Sequence, residues 1–273
     1  MIRKLVIAGG LAALLASVAA GVTAIPASAS SAPVAAGVMR DTNWAGHVVG
    51  YHAHGKFTEE QSEWEVPSVT CNVYEEATAA HASFWAGLGG VGSDPALVQA
   101  GVDTFCSLSG QYDQAWWEVY ISGFSYPPVY LSSSQYPVHP GDYVYAQINY
   151  TGGGAGDTYT LYLANISERW DYTLDCPSSA CVAYGSTVSI PSGYPGHAET
   201  VVERAVFDTP LTPLPNFHSV TFTDVRYYYA GTAPKGGFPV YVVEPPNNPK
   251  APPEISVQKS LLNWKAFWEY GTQ

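Results

Sequence analysis

Short stretches in which apolar and polar residues alternate recur along the chain from residue 43 onward. Each is rich in aromatic or β-branched side chains, which favour extended strands. Together they predict strands at residues 44–51, 61–66, 82–88, 96–106, 115–121, 143–150, 158–165, 170–174, 187–190, 200–206, 219–228 and 240–244. Turn-forming Gly, Pro and Ser residues separate the strands, and no convincing amphipathic helix lies between them. The pattern predicts an all-β fold, either a sandwich or a barrel of antiparallel sheets.

Residues 1–29 have the order of a secretory signal peptide. Arg3 and Lys4 form a positive head, residues 5–20 form an apolar run, and Ala27-Ser28-Ala29 is a small-residue cleavage site. An uncleaved membrane anchor is the alternative, but glycines interrupt the apolar run and a Pro-containing segment follows it. We therefore predict a secreted, extracellular protein, and no later stretch is long and apolar enough to span a bilayer.

Composition divides the rest of the chain into four segments. Residues 30–40 are small and apolar, which predicts a short flexible leader. Residues 41–244 contain the predicted strands and form one domain. Residues 245–254 hold five prolines and are typical of a linker. Residues 255–273 carry several aromatic side chains, which predicts a tail packed on the domain as a short helix or a last strand.

Charge excludes one class of partner. Signal cleavage removes two of the 11 Lys and Arg residues, which leaves 9 against 23 Asp and Glu residues and a net charge of −14. Nucleic acid is therefore not an expected partner. Charged residues make up only 12% of the chain, a low density that is compatible with acid conditions and also with an ordinary secreted β protein. A monomer is the default expectation.

Four cysteines in an exported chain predict two disulfide bonds. Cys176 and Cys181 are close enough to close a small loop, which leaves Cys71 to pair with Cys106; two other pairings are possible. The cysteine spacing does not resemble a zinc site, the histidines form no His-Glu-x-x-His pair, and no Gly-x-Ser-x-Gly elbow is present. We predict no catalytic metal and no other cofactor.

The stretch from residue 197 to 206 places two carboxylates on one side of a strand. Alternate side chains face opposite ways, so Glu199 and Glu203 share a face with Val201. A carboxyl among apolar and aromatic neighbours has a raised pKa, which suits it to proton transfer in acid. Spacing alone favours a simpler interpretation, in which one glutamate is solvated and the other is a hydrogen-bonded structural group.

Other predicted strands also place polar groups among bulky rings. Gln99 is an amide in an apolar strand, and a buried amide needs hydrogen-bond partners. It is either a bridge within the core, the simpler interpretation, or a positioned group of a site. Glu118 is a carboxylate between aromatic residues. Trp44 and Trp85 are each followed by small residues that would leave a ring face open to a ligand, and such faces also suit sugars.

Several short motifs follow one another between residues 43 and 228. They are Asn43-Trp44-Ala45-Gly46, Trp64-Glu65-Val66-Pro67, Phe84-Trp85-Ala86-Gly87-Leu88-Gly89-Gly90, Leu97-Val98-Gln99-Ala100-Gly101, Ala115-Trp116-Trp117-Glu118-Val119-Tyr120, Gly141-Asp142, Ala198-Glu199-Thr200-Val201-Val202-Glu203 and Phe222-Thr223-Asp224. Each is weak alone, but their order resembles the glutamic peptidases, or eqolisins, secreted acid endopeptidases of the scytalidoglutamic and aspergilloglutamic type.

The resemblance implies a two-sheet antiparallel β-sandwich of the concanavalin or jelly-roll type. It implies a catalytic pair made of Gln99 and Glu203, with Trp44 near the substrate. Trp85 and Glu118 are expected in substrate-binding or supporting positions.

Two positions depart from the family pattern. Gly89 and Gln114 stand where the family has aspartates. Both are expected around the catalytic pair, so they bear on the pH profile more than on the reaction type.

The chemistry of the pair is coherent by itself. Peptide hydrolysis by water needs one group that moves protons and one that holds the water and stabilises the oxyanion. Glu203 can activate the water and then protonate the leaving amine, while the amide of Gln99 does the second task. The expected function is acid cleavage of protein or peptide substrates that is insensitive to pepstatin. The alternatives are a glycoside hydrolase that uses Glu118 and Glu203 across an aromatic groove, and a noncatalytic carbohydrate-binding module.

Overall fold

The structure is a computed structural model of the 273-residue chain. The residues that it describes are 35–41, 43–50, 56–71, 80–92, 94, 96–121, 127–152, 157–177, 179–183, 186–204, 213–230, 240–244, 255–257 and 263–268. The predicted signal peptide (residues 1–29) and the proline-rich linker (residues 245–254) lie outside them. Within the described ranges, no helix is long and apolar enough to cross a membrane.

The regular elements of the described residues are all strands. They are β1 (Ala35–Arg40), β2 (Trp44–Gly50), β3 (Phe57–Glu65), β4 (His81–Gly89), β5 (Ala96–Ser107), β6 (Gly110–Ile121), β7 (Val129–Tyr130), β8 (Tyr143–Thr151), β9 (Thr158–Asn165), β10 (Trp170–Pro177), β11 (Cys181–Ala183), β12 (Ser186–Val188), β13 (His197–Arg204), β14 (Ser219–Tyr229), β15 (Val240–Glu244), β16 (Ile255–Val257) and β17 (Trp264–Trp268). They form an eight-stranded sheet, β1-β15-β2-β13-β4-β5-β6-β7, a seven-stranded sheet, β10-β9-β8-β3-β14-β17-β16, and a β11-β12 pair. The described strand pairs are antiparallel except β1 with β15, which is parallel.

The two large sheets enclose one apolar core. The eight-stranded sheet contributes Phe84 and Val98, and the seven-stranded sheet contributes Ile148 and Phe222, all fully buried. Alternate residues of each strand face this core, as the two-residue period of a strand requires. The predicted antiparallel β-sandwich is therefore confirmed.

Two strands begin four or more residues before the start that their apolar pattern predicts. β3 starts at Phe57 and β6 starts at Gly110, four and five residues before the predicted starts. The added segments are mostly polar, and β3 carries Glu60, which is buried and accepts a 2.8 Å hydrogen bond from Thr200 Oγ1 of the facing sheet. Pairing with neighbouring strands outweighs the weak local preference of such residues.

Strands also lie in both terminal segments of the domain. Residues 35–40, within the predicted flexible leader, form the edge strand β1, so this part of the leader is paired structure rather than a flexible segment. The C-terminal tail contributes β16 and β17 to the seven-stranded sheet. Trp264 of β17 is fully buried and stacks on Phe222 with 4.5 Å between ring centroids. The tail therefore takes the strand alternative.

Both disulfide bonds follow the predicted pairing. Cys71 is bonded to Cys106 at the end of β5, and Cys176 of β10 is bonded to Cys181 of β11. All four cysteines of the chain are used in these bridges.

Candidate active site

The predicted site residues lie on the face of the eight-stranded sheet that is turned away from the core. Glu203 on β13 pairs with Ser83 on β4, and Ser83 pairs with Asp103 on β5. Gln99, four residues before Asp103, pairs with Glu118 on β6. Directly opposite residues of neighbouring strands, and residues an even number apart in one strand, point to the same side. We call this surface the site face.

Side-chain donors hold both oxygens of the Glu203 carboxyl. Asn43 Nδ2 donates to Glu203 Oε1 at 2.7 Å, and Trp85 Nε1 donates to Glu203 Oε2 at 2.9 Å. Trp44 pairs with Glu203 in the β2–β13 register and packs its ring edge-on against Trp85, with 4.9 Å between centroids. Trp85 is fully buried, whereas Trp44 and Glu203 are partly exposed. The carboxyl is therefore fixed against a buried indole and keeps access to a reactant.

The electrostatic surroundings of Glu203 favour its neutral form. Burial is the main cause that raises the pKa of Glu203 to about 8. Hydrogen bonds from Trp85 and Trp44 lower this pKa, and the negative charges of Glu118 and Asp103 raise it. Once the carboxyl has taken a proton it holds it more firmly than an ordinary carboxyl, and it can pass that proton on to a more basic group such as a leaving amine.

Gln99 is buried on the same face, with 4% of its surface exposed. Its Nε2 donates to Glu118 Oε2 at 2.7 Å, and its Oε1 has no hydrogen-bond partner among the described residues. Burial raises the pKa of Glu118 to about 7, which the hydrogen bond from Gln99 lowers and the charge of Asp103 raises. An unpaired buried acceptor is costly to a fold. The remaining amide N–H and the oxygen can therefore donate to and accept from a reactant.

Gly87 leaves the space beside Gln99 and Trp85 on the site face free of a side chain. Gly87 pairs with Gln99 on one side and with Glu199 on the other. A Cβ at this position would lie 2.9 Å from Leu97 Cδ1, 3.1 Å from Trp85 Cζ3 and 3.3 Å from Gln99 Cβ. Any side chain here would press on the indole and displace the amide.

The site face also carries a second hydrogen-bond network, which the sequence motifs do not predict. Asp103 is 2% exposed and accepts hydrogen bonds from Ser83 Oγ and, at 2.6 Å, from the Tyr130 hydroxyl. His81 Nε2 lies 2.9 Å from Asp103 Oδ2. The even spacing of Asp103 from Gln99 is a signal that the two share a face. The contacts themselves join separate strands and leave no local signal.

Glu199, the other carboxyl of β13, is not solvated. It is fully buried, and burial raises its pKa well above the ordinary value, with the charges of Asp94 and Glu60 acting in the same direction. Glu203 is the more exposed of the two, yet both of its oxygens accept hydrogen bonds. The interpretation with one solvated and one structural glutamate is therefore wrong.

The two departures from the family pattern have local reasons. Gly89 has a φ of +93°, and a Cβ there would lie 2.2 Å from the carbonyl oxygen of Ala96, so an aspartate does not fit this backbone. Gln114 pairs with Asp103 in register but donates its Nε2 to the carbonyl oxygen of Leu131 at 3.1 Å. An aspartate at position 114 would directly face Asp103, so the glutamine removes one carboxylate from this face.

One group of possible metal ligands occurs elsewhere among the described residues. One ligand atom from each of His139, Asp142 and Glu168 lies within 4.8 Å of the others. These residues flank β8 and β9 of the seven-stranded sheet, and His139 and Glu168 are exposed. Exposed acidic groups of this kind are common without a metal, and we assign no role to them.

Trp85→Phe tests the hydrogen bond that the indole gives to Glu203. Phenylalanine keeps an aromatic ring but loses Nε1–H, so we expect the pKa of Glu203 to rise and kcat to fall by roughly 10- to 100-fold, the value of one hydrogen bond to a charged group. The measurement is kcat as a function of pH.

Trp116→Phe is the matched control for this substitution. Trp116 lies on the site face, one strand beyond Gly101, and its Nε1 has no hydrogen-bond partner among the residues described. The control therefore measures the cost of lost indole packing alone. Equal losses in Trp85→Phe and Trp116→Phe would contradict a role for the Trp85 hydrogen bond.

Comparison with known proteins places the chain in a family. The model of the Peptidase A4 family matches residues 42–244. Among solved structures, the chain is similar to scytalido-glutamic peptidase with a transition state analog inhibitor, with a TM-score of 0.62, 16% identity, and coverage of 85% of this chain and 100% of that chain. It is also similar to SCP-B, a member of the eqolisin family of peptidases, in a complex with the tripeptide Ala-Ile-His, with a TM-score of 0.56, 16% identity and the same coverage.

No curated protein sequence matches the chain. At 16% identity the two structural likenesses show the fold alone. The family match covers more than half of the chain. The chain therefore belongs to the Peptidase A4 family, the glutamic peptidases or eqolisins, as its motifs predict.

Proposed function

We propose that this peptidase is a secreted acid endopeptidase that cleaves peptide bonds with a water activated by Glu203 and Gln99. One observation carries the proposal: a partly exposed carboxyl with a raised pKa shares the site face with a buried amide whose oxygen has no partner among the described residues. Peptide hydrolysis needs both types of group, one for the proton and one for the developing negative charge.

The reaction begins with attack of water on the carbonyl carbon of the substrate. The ionised carboxyl of Glu203 takes one proton from that water as the new carbon–oxygen bond forms. An N–H of Gln99 donates to the carbonyl oxygen as it becomes negative, while Gln99 Oε1 accepts from the water and orients it. Glu203 then gives its proton to the amine nitrogen, the carbon–nitrogen bond breaks, and the carboxyl returns to its ionised form.

Three neighbours prepare the pair for this exchange. Asn43 and Trp85 each donate to one oxygen of Glu203, which favours the ionised form and fixes the direction of the carboxyl. Glu118 accepts from Gln99 Nε2 and thereby fixes which end of the amide is the donor. The site is built on paired strands, which hold such contacts more rigidly than loops.

The pKa of Glu118 favours activity in acid. Burial raises the pKa of Glu118 to about 7, so in acid this neighbour is neutral and no longer opposes ionisation of Glu203. Above that pH the growing oxyanion meets the negative charge of Glu118, which destabilises it. Activity is therefore expected to fall as the pH rises through the titration of Glu118.

Export and the type of substrate are supported by independent features. The signal-like residues 1–29 and two disulfide bonds suit an oxidising, extracellular compartment. The partly exposed ring of Trp44 offers an apolar contact to a substrate side chain next to Glu203. The family match favours a peptide over a sugar, and the glycoside hydrolase and sugar-binding alternatives have no comparable support.

The test is digestion of a denatured protein between about pH 2 and pH 7, a range that spans carboxyl titration, with and without pepstatin. We expect cleavage in acid that pepstatin does not reduce, because the proposed site has a carboxyl and an amide instead of two aspartates. An aspartic peptidase assayed beside it checks that the pepstatin is active. Absence of cleavage at every pH by the folded, processed protein, or full inhibition by pepstatin, would refute the proposal.

A further inference from the structure

The site face carries a buried charge that the proposed mechanism does not use. Asp103 is 2% exposed and lies in the same cross-strand row as Glu203, with Ser83 between them. Its charge raises the pKa of both Glu203 and Glu118. A carboxylate in this position opposes ionisation of Glu203, and the ionised form is the one that must take a proton from water.

His81 can supply a positive charge to this carboxylate. Its Nε2 lies 2.9 Å from Asp103 Oδ2, and both side chains are 3% exposed. The His81 ring stacks on Phe105 with 4.2 Å between centroids, and Phe105 stacks on Tyr112 at 4.7 Å. The stack fixes the position of the ring. Burial also keeps solvent ions from screening the pair, as they would at the surface.

The other titratable groups that face this pair are acidic or phenolic. They are Glu203 on β13, Glu118 and Tyr112 on β6, and Tyr130 on β7. Position 114, where an aspartate would face Asp103, is an amide that donates to the carbonyl oxygen of Leu131. His197, another histidine of the site face, lies at the far end of β13 and contacts Asp94 Oδ2 at 2.7 Å. Among the described residues, His81 is thus the histidine placed to offset Asp103.

We propose that His81 is a positioning residue that makes Glu203 easier to ionise, because a positive charge on its ring offsets the charge of Asp103. The inference rests on the proposed role of Glu203 and names a group that regulates it. Histidine side chains are charged in acid and neutral at higher pH. Without that positive charge, Asp103 is left uncompensated and ionisation of Glu203 becomes harder.

The test is a carbon NMR titration of the glutamate carboxyls in the full-length, disulfide-bonded protein, with the Glu203 signal assigned by its loss in Glu203→Gln. In His81→Gln, an amide N–H replaces the imidazole N–H but carries no charge. We expect the pKa of Glu203 to rise by about one pH unit, the effect of one uncompensated charge two strands away in a buried site. Because the ionised fraction falls in proportion, kcat/KM in acid is expected to fall about tenfold.

Two further variants separate charge from structure. His81→Gln/Asp103→Asn removes both charges and is expected to return the pKa of Glu203 to near its wild-type value, which loss of a purely structural contact would not do. His197→Gln breaks the other histidine–aspartate pair of the site face and is expected to leave the pKa of Glu203 unchanged. An unchanged pKa in His81→Gln, or an equal rise in His197→Gln, would overturn the inference.

If His81→Gln fails to fold, the wild-type protein provides an independent measurement. Its Glu203 signal is expected to show a second inflection at the pH where the His81 ring titrates, and absence of that inflection would count against the inference. The titration needs no turnover. Full activity of Glu203→Gln would refute the proposed function while leaving this electrostatic coupling to be decided by the NMR data.

Discussion

Glu203→Gln is expected to lower kcat by on the order of 10² or more while the fold is retained. An amide can neither take a proton from the attacking water nor give one to the leaving amine. Glutamine has almost the same size as glutamate, and its oxygen can still accept one of the hydrogen bonds from Asn43 and Trp85. The measurement is kcat for a fluorogenic peptide in acid, with near-UV circular dichroism as the check on folding.

Glu199→Gln is the matched control, since Glu199 lies on the same strand and points to the same face. Glu199 is fully buried, whereas Glu203 is partly exposed. We therefore expect the Glu199 variant to keep most of its kcat once it is folded. Loss of activity in Glu199→Gln, together with full activity in Glu203→Gln, would transfer the proton-moving role to Glu199.

Gln99→Ala is expected to cause a loss similar to that of Glu203→Gln, because it removes the donor to the oxyanion. Glu118→Gln is expected to cost less, about tenfold, since Glu118 acts by orienting Gln99. The Gln99→Ala/Glu203→Gln double variant is expected to be hardly slower than either single variant, because the two groups act in one step. If Glu118→Gln abolished activity while Gln99→Ala kept it, the result would instead indicate a two-carboxylate mechanism.

Much of the fold is predictable because the domain is built from strands with strong local patterns. The aromatic and β-branched stretches give strands near their observed positions, and alternation places Gln99 and Glu203 on single faces. The starts of β3 and β6 escape prediction because most of their residues are polar. Glu60 is tolerated in the core because Thr200, 140 residues away in sequence, donates to it. Such compensation depends on how the two sheets pack, which a local sequence pattern does not show.

The site is less predictable than the fold because it depends on strand order. The contact between Asn43 and Glu203 exists because β2 lies beside β13, and these residues are 160 positions apart. Asp103 and His81 meet through the register between β4 and β5. Sequence spacing shows which side chains share the face of one strand, but only pairing shows which strands are neighbours. The motif resemblance implies Gln99 and Glu203 as the catalytic pair, and the His81–Asp103 pair has no counterpart in the motifs.

The folded protein is expected to be several kcal/mol more stable near pH 4.5 than near pH 8. Burial raises the pKa of Asp113 to about 6, of Glu118 to about 7 and of Glu203 to about 8. Burial also raises the pKa values of Glu60 and Glu199 well above their ordinary value. Free carboxyls in the unfolded chain titrate near pH 4. At pH values between the pKa of the free carboxyls and the raised pKa values, the folded state therefore binds more protons than the unfolded state.

The sign of the effect follows from that difference in bound protons. Each raised carboxyl contributes stability that is fully present below its unfolded pKa and is lost as the pH rises through its folded pKa. One pKa unit corresponds to about 1.4 kcal/mol, so a group shifted by about two units accounts for roughly 3 kcal/mol. The free energy of unfolding in urea, measured at several pH values with the disulfides intact, is expected to decline between about pH 4.5 and pH 8.

Asp113→Asn tests whether the decline in stability comes from buried carboxyls or from repulsion among the negative charges of the surface. Asp113 is 7% exposed, accepts hydrogen bonds from Thr104 Oγ1 and Gln111 Nε2, and lies on the core side of β6, so its replacement leaves the site face intact. The variant is expected to lose part of the decline in stability between about pH 5 and pH 7. Added salt screens surface charges but has little effect on buried ones. A decline that salt abolishes, or that Asp113→Asn does not reduce, would instead attribute acid stability to the net negative charge of the surface.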